Sequence, residues 1–170
     1  MQEYLIRKDH HSPRNRRIIF QSSREFSIVC MFDKSCLYSF ADSSARQAVN
    51  KIFGYSFGSN HHNNSFRIGW RCKDSLIEVL AYWYVKHERF DNLLFIIKPG
   101  KRFFINAKIG CEKVVIKYKV ADMLPESIDV IFNSEKSILK NWGYVNFPYF
   151  GGIQKAPNDM VIYLKAWMCN

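Results

Sequence analysis

The chain has 170 residues, 48% of them hydrophobic and 16% aromatic, and a formal charge of +10. That length suffices for one domain with a substantial core, and the composition is too apolar for a disordered chain. No apolar run approaches the roughly 20 residues of a membrane-spanning helix, and the N-terminus lacks an apolar stretch of signal-peptide length, so a cytosolic chain or a mature fragment is expected.

The first residues are basic. Arg7, Lys8, Arg14, Arg16, Arg17 and Arg24 face only Glu3 and Asp9, a balance that favours polyanions such as nucleic acid, acidic polysaccharide or anionic lipid. Residues 1–16, which include Pro13, are expected to attach loosely to a domain that takes in the whole chain, 1–170. Beyond them, apolar residues recur mostly at intervals of two, the period of half-buried strands. RRIIFQS (16–22), FSIVCMF (26–32) and SCLYSFA (35–41) come first. Then SSARQAVNKIFGYSFG, from Ser43, breaks the rhythm. Its serines, good helix formers and Gly54 predict a short capped helix with Ala45, Ala48, Val49 and Ile52 on one face.

Strands resume at SFRIGWRC (65–72), LIEVLAYWYV (76–85), LLFIIKP (93–99), RFFINAKIG (102–110), EKVVIKYKV (112–120) and SIDVIFNS (127–134). Short turn signals separate them. SEKSILKNWG predicts a second short helix ending at Gly143, and DMVIYLKAW (159–167) is the last strand. The pattern is all-β: an antiparallel two-sheet β-sandwich of jelly-roll type with one or two short helices. Five cysteines, Cys30, Cys36, Cys72, Cys111 and Cys169, show no C-x-x-C pair. They are expected to be unbridged thiols, with a Cys30–Cys36 bridge as the alternative.

The hairpin SFRIGWRCKDSLIEVLAYWY carries the candidate chemistry. Alternation puts Phe66, Ile68 and Trp70 on one face and Arg67, Gly69 and Arg71 on the other. A two-residue turn at Asp74 and Ser75 sets Arg71 opposite Glu78 and Arg67 opposite Tyr82. Slipping the register by one would put a carboxylate among apolar side chains. The result is a sheet face of arginine, glutamate and tyrosine, able to hydrogen-bond sugar hydroxyls or pair with a carboxylate. His61 and His62 precede it in a Ser/Asn-rich loop. Adjacent histidines in extended chain point apart, and no H-x-H or H-E-x-x-H spacing accompanies them, so no metal site or other cofactor is expected. The loop is read as the polar lip of the sheet, with His62 and Asn63 as ligand contacts. No nucleophile elbow, phosphate-binding glycine loop or dinucleotide fingerprint occurs.

NKIFGYSFGSNHHNNSFRIGWR, IEVLAYWY and FPYFGG followed by AP and DMVIYL resemble the pattern of a group of bacterial proteins with no assigned activity. The resemblance covers roughly 45–164 and departs at Val49, where the group has tryptophan, and at Asn158, where it has histidine. It implies a concanavalin-like β-sandwich, a shape shared by lectins, glycosidases and polysaccharide lyases. The matched positions it carries over are His62, Asn63, Arg67, Arg71, Glu78, Tyr82 and Tyr149. Together these readings predict a concave sheet face that binds a carbohydrate or similar polar ligand without catalysing its breakdown. The alternatives are a lyase acting on acidic polysaccharide, for which arginine, histidine and tyrosine suffice chemically, and a nucleic-acid binder working through the basic surface.

Overall fold

The computed structural model describes residues 1–14, 19–40, 48–121, 123–131 and 142–169. In chain order its elements are β1 (Gln2–Ile6), β2 (Ile19–Gln21), β3 (Glu25–Phe32), a 3₁₀ turn (Lys34–Cys36), β4 (Asn50–Phe57), β5 (Asn64–Lys73) and β6 (Leu76–Val85). These are followed by β7 (Glu88–Ile97), β8 (Arg102–Ile109), β9 (Lys113–Val120), β10 (Glu126–Ile131), β11 (Gly143–Asn146) and β12 (Met160–Cys169). They form two six-stranded antiparallel sheets, ordered β1-β12-β3-β8-β9-β10 and β2-β11-β4-β5-β6-β7. The fold is a jelly-roll β-sandwich, as the alternation predicts.

The expected register holds along the central hairpin. Arg67 pairs with Tyr82, Arg71 with Glu78 and Lys73 with Leu76. Asp74 and Ser75 both take positive φ, 51° and 60°, the backbone of a two-residue primed turn whose twist matches the flanking strands. Lys86 and His87 repeat that device between β6 and β7. Phe66, Ile68 and Trp70 enter the core between the sheets with Phe26, Phe32, Phe103 and Phe150. Each such aromatic contributes roughly 1.5–3 kcal/mol by leaving water.

Several expectations are corrected. The helix expected from Ser43 to Gly54 is strand from Asn50 onward, paired with β5 and β11, because the ladder satisfies backbone groups on both sides. Residues 41–47 lie outside the described residues. Ile52 enters the core while Val49 packs on the opposite face of the sheet with Leu80 and Tyr82, so the two do not share a helical face. The 35–41 strand is a 3₁₀ turn capped by Asp33, whose carboxylate accepts the Ser35 N–H at 2.8 Å, followed by irregular chain. The second helix, apart from Trp142 and Gly143, falls outside the described residues, and Gly143 opens β11. Within the 1–16 segment, Gln2–Ile6 form β1, which pairs with β12 and buries Tyr4 and Ile6, while residues 15 and 16 lie outside the described residues. As expected, none of the five cysteines is bridged; Cys36 lies in the 3₁₀ turn, where its Sγ donates to the Val161 carbonyl rather than bridging Cys30.

Gly54 lies opposite Arg67 across β4 and β5. A Cβ there would strike the Phe66 carbonyl and the Arg67 backbone and side chain. Gly54→Ala is therefore expected to cost about 1–3 kcal/mol, the usual effect of overfilling packed structure, read as a lower urea midpoint. An unchanged midpoint would show that the strands separate freely at this position.

Candidate functional site

The face of the second sheet turned away from the core carries a cleft of about 890 Å³. Four adjacent strands supply its floor: Lys51 from β4, Arg67 from β5, Tyr82 and Tyr84 from β6, and Arg89 from β7. Its walls are the His61–His62 loop on one side and residues 147–154, with Tyr149, on another. A β-bulge between Lys51 and Phe53 sets the direction of Lys51. The extra residue lets Ile52 and Phe53 both enter the core while Lys51 turns to the cleft.

The cations are held by a few firm contacts. Arg67, 4% exposed, donates from Nη2 to Ser65 Oγ at 2.8 Å and to the His61 carbonyl at 3.1 Å. Its guanidinium carbon lies 5.4 Å from the Tyr82 ring centroid and 5.6 Å from that of Tyr84. Lys51, 8% exposed, donates from Nζ to the Gly151 carbonyl at 3.3 Å and sits 4.9 Å from the Tyr82 ring centroid. Tyr82 Oη donates to Tyr84 Oη at 3.1 Å. Backbone bonds in both directions between Lys51 and Tyr149 (2.8 and 3.0 Å) clamp the wall to the floor. His11 stacks on Tyr149 at 5.2 Å between centroids, so the N-terminal segment braces the site.

No aspartate or glutamate lines the cleft among the described residues. Burial, reinforced by Arg67 and Arg89, pushes the Lys51 amine down to about 7. Burial also lowers Arg67 and raises Tyr82, the latter with help from its bond to Tyr84. His62 is lowered by burial and by Arg67, Lys51 and His87. The histidine loop is tied down: His61 Nδ1 hydrogen-bonds the Tyr144 hydroxyl at 2.9 Å, and His62 packs edge-on to Tyr84 at 5.1 Å. Among the described residues, no three His, Cys, Asp or Glu side chains converge in a way that would hold a metal ion.

Of the residues expected at one site, His62, Arg67, Tyr82 and Tyr149 meet in this cleft. Arg71 and Glu78 do not line it. They lie farther along β5 and β6 as an ion pair, with Arg71 Nε 2.6 Å from Glu78 Oε2. Asn63 makes turn contacts through its backbone, accepting from the His87 N–H at 3.3 Å. Asn158 donates to the Ser35 carbonyl at 2.7 Å, and Val49 lies on the cleft floor against Gly69. The sequence reading missed Lys51, Tyr84 and Arg89. Tyr84 shares the alternation of Tyr82 and was recoverable from it; Lys51 was hidden by the bulge and by the expected helix.

No family model matches the sequence, and no curated protein matches it. Solved structures do share the fold. The alginate lyase from Klebsiella pneumoniae superposes with a TM-score of 0.57 at 11% identity, covering 85% of this chain, which spans 59% of the lyase. Alginate lyase A1-II′, a member of polysaccharide lyase family 7, gives 0.54 at 10% identity over 99% of this chain and 79% of its own. Scytalido-glutamic peptidase gives 0.52 at 11% identity over 89% and 84%. Lyases and a peptidase on one sandwich leave function to be argued from the site.

Lys51 provides a direct test of these electrostatics. Its proton is held less firmly folded than unfolded, so the folded state binds fewer protons between pH 7 and the ordinary lysine value of 10.5. Stability from this group therefore rises with pH across that window, and the burden of the buried charge is complete below it. Lys51→Met should be more stable than the parent at pH 6, with the difference shrinking by at least about 1 kcal/mol at pH 9, since tenfold in proton affinity is about 1.4 kcal/mol. Urea titrations at the two pH values read this; a pH-independent difference would mean the amine reaches water.

Proposed function

We propose that the cleft binds an acidic carbohydrate, holding a carboxylate between Lys51 and Arg67 while a sugar ring lies against the tyrosines. The observation that carries this reading is the buried Arg67 guanidinium beside the buried Lys51 amine, with no carboxylate lining their cleft among the described residues. Buried charges in folded proteins are normally paired, and an anionic ligand supplies the pairing that the described residues do not. Arg67 uses Nε and Nη2 internally, which leaves Nη1 for the ligand. Tyr84 and Tyr149, beside the buried Tyr82, offer rings and hydroxyls, the usual surface for a polar molecule with apolar faces. Two of the similar structures are alginate lyases, which supports the choice of an acidic glycan. Those neighbours lend nothing to the nucleic-acid reading.

The reading is tested by titrating alginate oligosaccharides and neutral glucose oligosaccharides at low and high salt. Selective, salt-weakened binding of the uronate is expected, and Arg89→Ala and Tyr149→Ala should each weaken it. Binding should also fall roughly tenfold or more from pH 6 to pH 8.5 as Lys51 loses its proton, because a hydrogen bond to a charged group is worth about 1.5–3 kcal/mol. Equal binding of the neutral oligosaccharide, or none of either, would overturn it.

A second reading is β-elimination, favoured by one observation, the Lys51 amine lowered to about 7 beside Arg67. A uronate hydrogen at C5 is acidic because it lies α to the carboxyl group. With Arg67 neutralising the carboxylate, uncharged Lys51 takes that proton, the C4–O bond breaks, a C4–C5 double bond forms, and a tyrosine hydroxyl protonates the departing oxygen. The two readings differ in sign with pH: anion binding weakens through neutrality, whereas a lysine base gains activity. Ultraviolet absorbance of an unsaturated uronate that appears, grows with pH and is lost in Lys51→Met is expected if the protein is a lyase. Its absence from digests with saturating alginate would leave binding alone.

A further inference from the structure

Farther along the same sheet lies a second cleft of about 1000 Å³. Its residues include Tyr38 and Phe40 from the irregular chain after the 3₁₀ turn, Arg71 and Lys73 from β5, and Arg89 and Asp91 from β7. Arg89 lines both clefts, so they adjoin. From Arg67 in the first to Lys73 in the second is six residues of one strand, about 20 Å at the rise of β structure. That is several times the length of a single sugar ring.

The two clefts differ in charge. In the second, each cation has an acidic neighbour: Arg71 Nε lies 2.6 Å and Lys73 Nζ 3.7 Å from the Glu78 carboxylate, and Arg89 Nη2 lies 3.5 Å from Asp91 Oδ2. Self-paired ions of this kind present donors and acceptors side by side with little net field, which suits hydroxyl groups better than another anion. The aromatic wall is fixed in advance: the Tyr38 hydroxyl accepts from Asn50 Nδ2 at 2.8 Å, and the Tyr38 ring packs edge-on against Phe40 at 5.3 Å.

We infer that the two clefts are one groove, and that the ligand is an extended oligosaccharide with a carboxylate in the first cleft and the hydroxyls of its next units in the second. This rests on the acidic-carbohydrate reading and adds the length of the ligand and its orientation. The test is calorimetric titration, at low and high salt, with oligosaccharides of two to six units that carry one uronate followed by neutral sugars. The parent protein is compared with Ser39→Trp, a substitution at an exposed position that fills the second cleft, and with Lys73→Ala, also largely exposed. Affinity should climb at least tenfold with length, and the climb should survive high salt because uncharged contacts supply it. Ser39→Trp should abolish it and Lys73→Ala reduce it, both leaving disaccharide binding intact. A flat length series, a climb that vanishes at high salt, or a climb unchanged in Ser39→Trp would overturn the inference while leaving the acidic-carbohydrate reading standing. Failure of every length to bind would overturn both.

Discussion

Two strands buried on both faces, β5 and β6, set the terms for everything else in this protein. One side of the ladder must be apolar to hold the two sheets together, and Phe66, Ile68 and Trp70 meet that demand with Val79 and Ala81. The other side then receives Arg67, Gly69 and Arg71 opposite Tyr82, Leu80 and Glu78, whatever their cost in desolvation. A slip of one residue would exchange the two sets and bring guanidinium groups into the core. The sandwich and the cleft are thus two readings of one pairing. The backbone at Asp74 and Ser75 holds both in place.

The cost of that arrangement appears in the cleft. Lys51 and Arg67 lose most of their hydration yet gain only carbonyl, hydroxyl and aromatic partners. Interactions with ring faces recover part of the loss. Two small residues make the geometry feasible. Gly54 leaves room for the Arg67 side chain, and Gly69 lets Val49 settle onto the sheet. The wall formed by residues 147–152 is tied to Lys51 by backbone bonds and to the N-terminal segment by His11, which exchanges hydrogen bonds with Phe150.

The β-class and the register of the central hairpin were readable because alternation and a two-residue turn leave few choices. Which face each side chain takes on β5 and β6 followed from that alone. The errors have physical causes. Residues 43–54 contain good helix formers, but Asn50–Phe57 pairs on both sides within a sheet, and tertiary pairing overrides local propensity. Strand β11, of four residues, is too short to show a period. A bulge is invisible to a period of two, so Lys51 stayed hidden. Arg71 and Glu78 share a face with Arg67, as alternation requires, yet sharing a face says nothing about position along the strand. They lie toward its far end. Arg89 reaches the site from β7, which joins β6 through a turn whose residues, Lys86 and His87, are not the usual Asn-Gly.

Of the thiols, Cys30 and Cys36 are buried, and burial raises both well above the ordinary cysteine range. They are scarcely present as thiolates at neutral pH and resist alkylation and oxidation. Cys72 is different in position: it is half-buried and is among the residues that line the second cleft. The native chain therefore carries its own chemical footprint reporter. The rate at which a maleimide modifies Cys72, separated from the half-buried Cys111 and Cys169 by peptide mapping, measures how crowded the second cleft is, with no residue replaced.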